Sequence, residues 1–142
     1  MSTSDLRGKP NRLPQFISWF LVVVCAVIIF LLSSVPGTSY PKHPEALNVV
    51  AHFLLYMVFA ILVANALGYS KMALWKVALI TIAIVSLYGV SDEVHQFFVP
   101  FRNADIMDWL VDTIGASVGA ILTIFYLSSK QVTRSRKRDQ KR

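Results

Sequence analysis

Negative charge is scarce in this chain. Eight Asp and Glu stand against fourteen Lys and Arg, and charged residues of both signs make up 15 % of the sequence while apolar ones make up 55 %. That balance is greasier than an ordinary soluble domain. Cys25 is the only cysteine, which excludes an intrachain disulfide and leaves it as a small apolar filler in the middle of a hydrophobic run. No HExxH or comparable spacing marks a metal site, and no inverted repeat of the transporter kind is visible. SSVPG, which closes the first apolar block, is not a small-x-small cleavage site, so that block is expected to stay as an anchor rather than leave as a signal peptide.

What is present is apolar sequence in four long blocks. They run from Phe16 to Val35, from about Ala46 to Leu67, from about Ala73 to Tyr88 with continuation as far as Val99, and from about Ile106 to Leu127. Each is close to the ~20 residues that cross a hydrocarbon core as a helix. A chain of 142 residues cannot bury four such blocks in water, and in lipid the backbone must satisfy its own hydrogen bonds, which demands helix. The expectation is an all-α polytopic membrane protein, a four-transmembrane-helix bundle. A basic N-terminal segment (1–15) would precede the membrane domain (16–128), and a basic tail (129–142), expected to be disordered, would follow it.

Charge sets the orientation. Arg7, Lys9 and Arg12 precede span 1, Lys71 and Lys76 flank the turn between spans 2 and 3, and Lys130, Arg134, Arg136, Lys137, Arg138, Lys141 and Arg142 follow span 4, which together are twelve of the fourteen basic residues. An even number of spans puts all twelve on one side, and the positive-inside rule makes that side the cytoplasm. Both termini are therefore expected in the cytoplasm and the protein in the cell membrane, plasma or inner. Lys42 and Arg102 fall in the opposite loops. Topology accounts for the net charge of +6, so the tail reads as a solvated segment beside anionic lipid head groups, and nucleic acid is not an expected partner. Trp19, Tyr69, Trp75 and Tyr126 near the cytoplasmic ends, and Tyr40, Tyr88 and Trp109 near the outer ends, read as interfacial belts. Tyr56 is the exception, inside span 2.

The stretch SDEVHQFF, residues 91–98, interrupts this pattern with two carboxylates and an imidazole just after a strongly apolar run. Five of the eight acids, Asp92, Glu93, Asp105, Asp108 and Asp112, lie between 92 and 112, and His52 and Arg102 belong to the same outer half. At about 1.5 Å per residue, His52, Asp112 and the Asp92–Glu93 pair each reach roughly 10 Å below the outer ends of their helices, the last if span 3 extends to Val99. Three spans thus bring ionisable groups to one level. Spacing aligns them: His52 with Tyr56, Asp92 with His95 and Gln96, and Asp105 with Asp108 and Asp112 in one stripe that continues into Gly115 and Gly119. GASVG is a small-xxx-small element that lets another helix approach closely. The acidic stripe therefore faces the bundle rather than lipid.

Plainer roles exist for several of these side chains. Asp105 and Asp108 suit the N-terminus of span 4, where carboxylates meet unpaired N–H groups and the positive dipole end. Asp112 lies two turns in, beyond the reach of capping. Tyr56 suits a core aromatic, and Arg102 an ion pair in the loop. Ser33, Ser34, Pro36 and Gly37 suit the end of span 1, and His43, in YPKHPE, carries little weight. Charge at this depth is costly, however, and ionisable groups inside membranes mostly serve function.

The stretch SDEVHQFFVPFRNADIMDWLVDTIGASVG resembles the VanZ-like membrane proteins, with Asp92, Glu93, Gln96, Arg102, Asp108, Gly115 and Gly119 standing at that family's motif positions. SSVPG and the His52–Tyr56 pair match as well, so the resemblance covers about residues 16–127. Two departures stand out. NVVAH lacks the Asp-Lys pair that often precedes the His, and Asp112 stands where Asn is common. The resemblance implies a four-helix membrane fold, and its founding members look like accessory factors in resistance to lipoglycopeptide antibiotics such as teicoplanin.

Three functional classes fit. The first is a small site, enzymatic or binding, for the polar head of an envelope lipid, an envelope lipid intermediate or a lipoglycopeptide. Arg102 would hold an anionic group, Asp92, Glu93 and His52 are the candidates for proton transfer, and Gln96, Tyr56, His95, Asp108 and Asp112 would line the site. The second is a non-catalytic accessory protein whose polar cluster fixes helix packing. The third, ranked last, is a proton-coupled transporter, which at four helices would need a homo-oligomer. The sequence leaves the cofactor open. A divalent metal is not the expectation, and if one were bound its ligands would be His52, Asp92, Glu93 and Asp112.

Overall fold

The structure, a computed structural model, describes residues 13–37, 45–70 and 72–140, apart from the side chains at 45, 134, 135 and 138. Arg7, Lys9, Arg12, Tyr40, Lys42, His43, Lys71, Lys141 and Arg142 lie outside the described residues. Among the described residues four helices follow one another: α1 (Leu13–Ser33), α2 (Glu45–Leu67), α3 (Leu74–Gln96) and α4 (Ile106–Asp139). All four are long and apolar enough to cross a membrane. The 21 residues of α1 span about 32 Å at 1.5 Å per residue, matching a hydrocarbon core of about 30 Å. The protein is an all-α, multi-pass membrane bundle.

Short connections make sequence neighbours antiparallel. α2 is the central element. It packs most extensively on α4, and α3 also lies against α4, whereas α1 rests on α2 and only lightly on α3. The α2–α4 seam is built from small residues. A Cβ on Gly115 would collide with the Phe53 carbonyl, and one on Gly119 with the Met57 carbonyl. Ala60, Ala64, Ala116 and Ala120 are fully buried along the same seam. In lipid, such backbone-to-backbone contact replaces the hydrophobic drive that water would supply. The other face of the bundle is large and apolar, with Phe16, Phe20, Val23, Val27 and Leu31 of α1 all exposed.

Several polar side chains within the spans are satisfied locally or across helices. Asn65, Ser117 and Thr123 each donate to the carbonyl four residues back. Tyr88 and Trp109, expected in an interfacial belt, instead tie helices together. The Tyr88 hydroxyl donates to the Ala26 carbonyl of α1 at 2.6 Å, and Trp109 Nε1 donates to the Ser86 carbonyl of α3 at 3.2 Å. Tyr69, Trp75 and Tyr126 are exposed, as a belt requires.

Two boundaries differ from expectation. α3 is regular only to Gln96 and reaches Pro100 through a run of tight turns. Asp92 therefore lies about 6 Å, not 10 Å, from the end of its helix. Pro100 cannot continue a helix, and Phe101 takes a left-handed backbone at φ 60°. The tail 129–139, expected to be disordered, continues α4 to Asp139, because Lys, Arg and Gln are good helix formers and extend a helix already nucleated by its packed turns.

Candidate functional site

The polar residues singled out above gather at the end of the bundle where α1 and α3 finish and α2 and α4 begin. His52 comes from the second turn of α2, Asp92, Glu93 and Gln96 from the last two turns of α3, Asp108 and Asp112 from the first two turns of α4, and Arg102 from the α3–α4 connection. The backbone contact at Gly115 holds α2 and α4 close enough for His52 to reach α4. Its Nδ1 lies 3.1 Å from Asp112 Oδ1, and its Nε2 lies 3.9 Å from Asp108 Oδ2. Where the Asp112 carboxylate is ionised it only accepts, and the ring then donates from Nδ1 and turns Nε2 toward Asp108. Asp112 is wholly buried.

A second chain of contacts starts at Arg102. Its Nη1 donates to Gln96 Oε1 at 3.2 Å. With that oxygen so engaged, Gln96 turns its amide nitrogen to Asp92 Oδ2 at 3.1 Å and to Glu93 Oε1 at 3.4 Å. The other Arg102 nitrogens reach backward to α1, with Nη2 on the Leu32 carbonyl and Nε on the Val35 carbonyl. The guanidinium fork thus caps the C-terminal end of α1, where carbonyls lack helical partners. Glu93 Oε2 accepts the Asp105 backbone N–H at 2.7 Å, and Asp105 Oδ1 accepts the Met107 N–H at 2.8 Å. Asp105 is therefore the N-cap of α4, while Asp108 faces His52.

Tyr56 is 1 % exposed. Its ring runs parallel to His52 at 6.5 Å, and its hydroxyl lies toward Asp92. His95 goes elsewhere. Its ring packs on Phe30 at 4.5 Å, and its Nε2 lies 3.0 Å from Ser34 Oγ. The Ser34 hydroxyl already donates to the Phe30 carbonyl, so it accepts from His95. His95 ties α3 to the end of α1 and does not line the cavity described next.

Consecutive residues of a helix point about 100° apart, so Asp92 and Glu93 face different spaces. Asp92, with His52, Tyr56, Gln96 and Arg102, lines a cavity of about 550 Å³ between α1, α2 and α3, whose remaining wall includes Ile29, Leu32, Leu47 and Leu55. Glu93 lines a groove of about 530 Å³ between α3 and α4, walled by Val90, Val94, Phe97, Phe98, Ile106 and Trp109. Two residues of the site were missed in the sequence. Asn48, four before His52 and so on its face, lines the larger cavity. Gly89, four before Glu93, sits against Tyr56, Trp109 and Asp112. The i, i+4 spacing was the available signal for both.

A family model, VanZ/LLP1, matches residues 16–127, which takes in all four spans and every residue of this cluster. No curated protein and no solved structure matches the chain. The chain belongs to the VanZ/LLP1 family.

Proposed function

We propose that this protein binds, and acts on, the polar head group of an envelope amphiphile, a lipid, a lipid intermediate or a lipoglycopeptide of the teicoplanin kind, in the cavity between α1, α2 and α3. The observation that carries the reading is the two-sided character of that cavity. One side offers His52, Asp92, Gln96 and Arg102, and the other Ile29, Leu32, Leu47 and Leu55. About 550 Å³ accommodates a head group but not a whole lipid, so the acyl part would lie along the exposed apolar surface of α1 and α2. Arg102 carries the charge for an anionic group, at the mouth of the site. Asp92 and His52 are the groups for proton transfer in this cavity, with Asp112 orienting the His52 ring and Glu93 a further candidate from the neighbouring α3–α4 groove. The basic residues of the opposite end support a cytoplasmic location for both termini, and the site then opens to the outer leaflet of the cell membrane.

A second reading has its own support. Arg102 caps α1 and Glu93 holds the start of α4, which is what a purely structural polar core in an accessory protein would do. Asp92→Asn separates the two. The carboxylate of Asp92 holds no backbone group that an amide could not hold. Under the head-group reading the variant reaches normal membrane levels but loses the lipid that co-purifies in mild detergent, read by mass spectrometry. Under the structural reading its membrane level falls and its retained lipid is unchanged per molecule.

A further inference from the structure

Four carboxylates, on Asp92, Glu93, Asp108 and Asp112, crowd the end of the bundle around His52. Negative charge inside a membrane demands compensation. The donor set is suggestive in itself. One ring nitrogen of His52, one oxygen of Glu93 and one oxygen of Asp112 all lie within 4.8 Å of one another. Donors around a first-row dication sit about 2.0–2.2 Å from it, so two of them are at most about 4.4 Å apart. A closure of a few tenths of an ångström would complete the set, within the reach of side-chain torsions.

A separate observation points to a ligand in the same place. Asp112 Oδ2 is buried and accepts no hydrogen bond, although its side chain is 0 % exposed. This oxygen faces α3 at Gly89, where a Cβ would lie 3.5 Å from it. Gly89 and Glu93 share a face of α3, so the orphaned oxygen looks onto the face that carries the second carboxylate. The Tyr56 hydroxyl is buried as well. A buried acceptor with no donor is costly unless something positive meets it.

We propose that His52, Glu93 and Asp112 bind one divalent cation of the zinc or manganese class. One imidazole and two carboxylates give a mixed nitrogen and oxygen set, which suits those ions better than calcium, whose sites are all oxygen. Asp92, on the other side of α3, stays outside the set. The inference rests on the head-group reading and deepens it: a cation with three protein ligands keeps open positions, and these would take a phosphate or carboxylate oxygen of the head group. The ligands come from three different helices, so the ion also locks α2, α3 and α4 together.

The test uses the full chain in mild detergent, stripped by chelator and then titrated with Mn²⁺, followed by the loss of the free-ion electron paramagnetic resonance signal, with Zn²⁺ as competitor. The expected result is a single equivalent bound per chain, displaced by Zn²⁺. Glu93→Gln should weaken binding by at least about tenfold, and Asp112→Asn should do the same. Glu93→Gln keeps an oxygen for the Asp105 N–H, so its metal-free thermal midpoint should match that of the parent and exclude misfolding as the cause. Asp139→Asn, at the far end of α4, should bind as the parent does. Uptake that is absent, or equal in the parent and Glu93→Gln, overturns the proposal. Retained lipid without metal uptake overturns the cation site and leaves the head-group reading standing. Metal uptake with no retained lipid supports the cation site and counts against the head-group reading.

Discussion

Gly115→Ala probes the frame on which the site depends. A Cβ at 115 would sit on the Phe53 carbonyl. Restoring an ordinary contact requires α2 and α4 to separate there by about 1 Å. Phe53 follows His52 directly, and Gly115 lies one turn beyond Asp112. The same opening therefore acts on the 3.1 Å pair between His52 and Asp112 and stretches it to about 4 Å, past hydrogen-bond range. Overpacking of this kind costs about 1–3 kcal/mol, and alanine's better helix propensity returns up to about 1 kcal/mol. The net expectation is a loss of about 1–2 kcal/mol, a five- to thirtyfold shift in the folding equilibrium. Gly89→Ala is the matched comparison. Its Cβ would meet Trp109, Tyr56 and Asp112 at 3.4–3.5 Å, ordinary contact distances, so it should be neutral or slightly stabilising. Reversible unfolding in bicelles measures both. If Gly115→Ala proves as stable as Gly89→Ala, α2 and α4 are not in backbone contact, and the geometry that joins His52 to Asp112 falls with it.

Arg102→Lys keeps the charge but cannot reach Gln96 and the Leu32 and Val35 carbonyls together; a loss of about 1–2 kcal/mol is expected, with faster labelling of a cysteine placed at Ser34. Glu93→Ala removes the acceptor for the Asp105 N–H and should cost about 1 kcal/mol, whereas Glu93→Gln should be close to neutral in stability while abolishing function; equal stability of the two would refute the capping role. Trp109→Phe loses the Nε1 bond to Ser86, and a drop of about 1 kcal/mol is expected in the same unfolding assay. In a Cys25→Ala background, a cysteine at Phe98 should react with an impermeant maleimide from outside intact cells and one at Lys130 only after lysis; the reverse pattern would invert the proposed topology.

The fold was legible because each of its determinants is local. Four apolar blocks of membrane length dictate four helices, and GASVG names the face on which α4 meets a partner. The cluster was legible in part for the same reason, since i, i+3 and i+4 spacing puts Asp108 with Asp112 and Asp92 with Gln96 on single faces. What spacing does not state is which faces meet. His95 shares a face with Asp92 by the i, i+3 rule, yet the two differ by about 60° around the helix, and His95 meets Phe30 and Ser34 of α1. Tyr88 and Trp109 sit at plausible depths for a belt, but depth along a helix says nothing of azimuth, and both point inward to neighbouring backbones. The adjacent acids Asp92 and Glu93 read as a pair in the sequence, and the helix divides them between two cavities. Composition alone reads the end of α4 as a solvated tail; it is exposed and also helical to Asp139, because a packed helix lowers the cost of adding each further turn.

The same geometry explains how a polar site can persist in so small a bundle. α2 and α4 meet backbone to backbone at Gly115 and Gly119, and that rigid pair carries His52, Asp108 and Asp112. α1 packs loosely on α3 and is held beside it by polar ties, among them those from Tyr88 to Ala26, from His95 to Ser34, and from Arg102 to the Leu32 and Val35 carbonyls. Two of these ties lie at the very end of α1, next to the cavity. Space for a ligand and rigidity for its ligating groups are opposed demands when only four helices are available. Here they fall on different helix pairs: the small-residue seam fixes the carboxylates and the imidazole, and the cavity opens where side-chain hydrogen bonds, rather than close packing, hold the helices together.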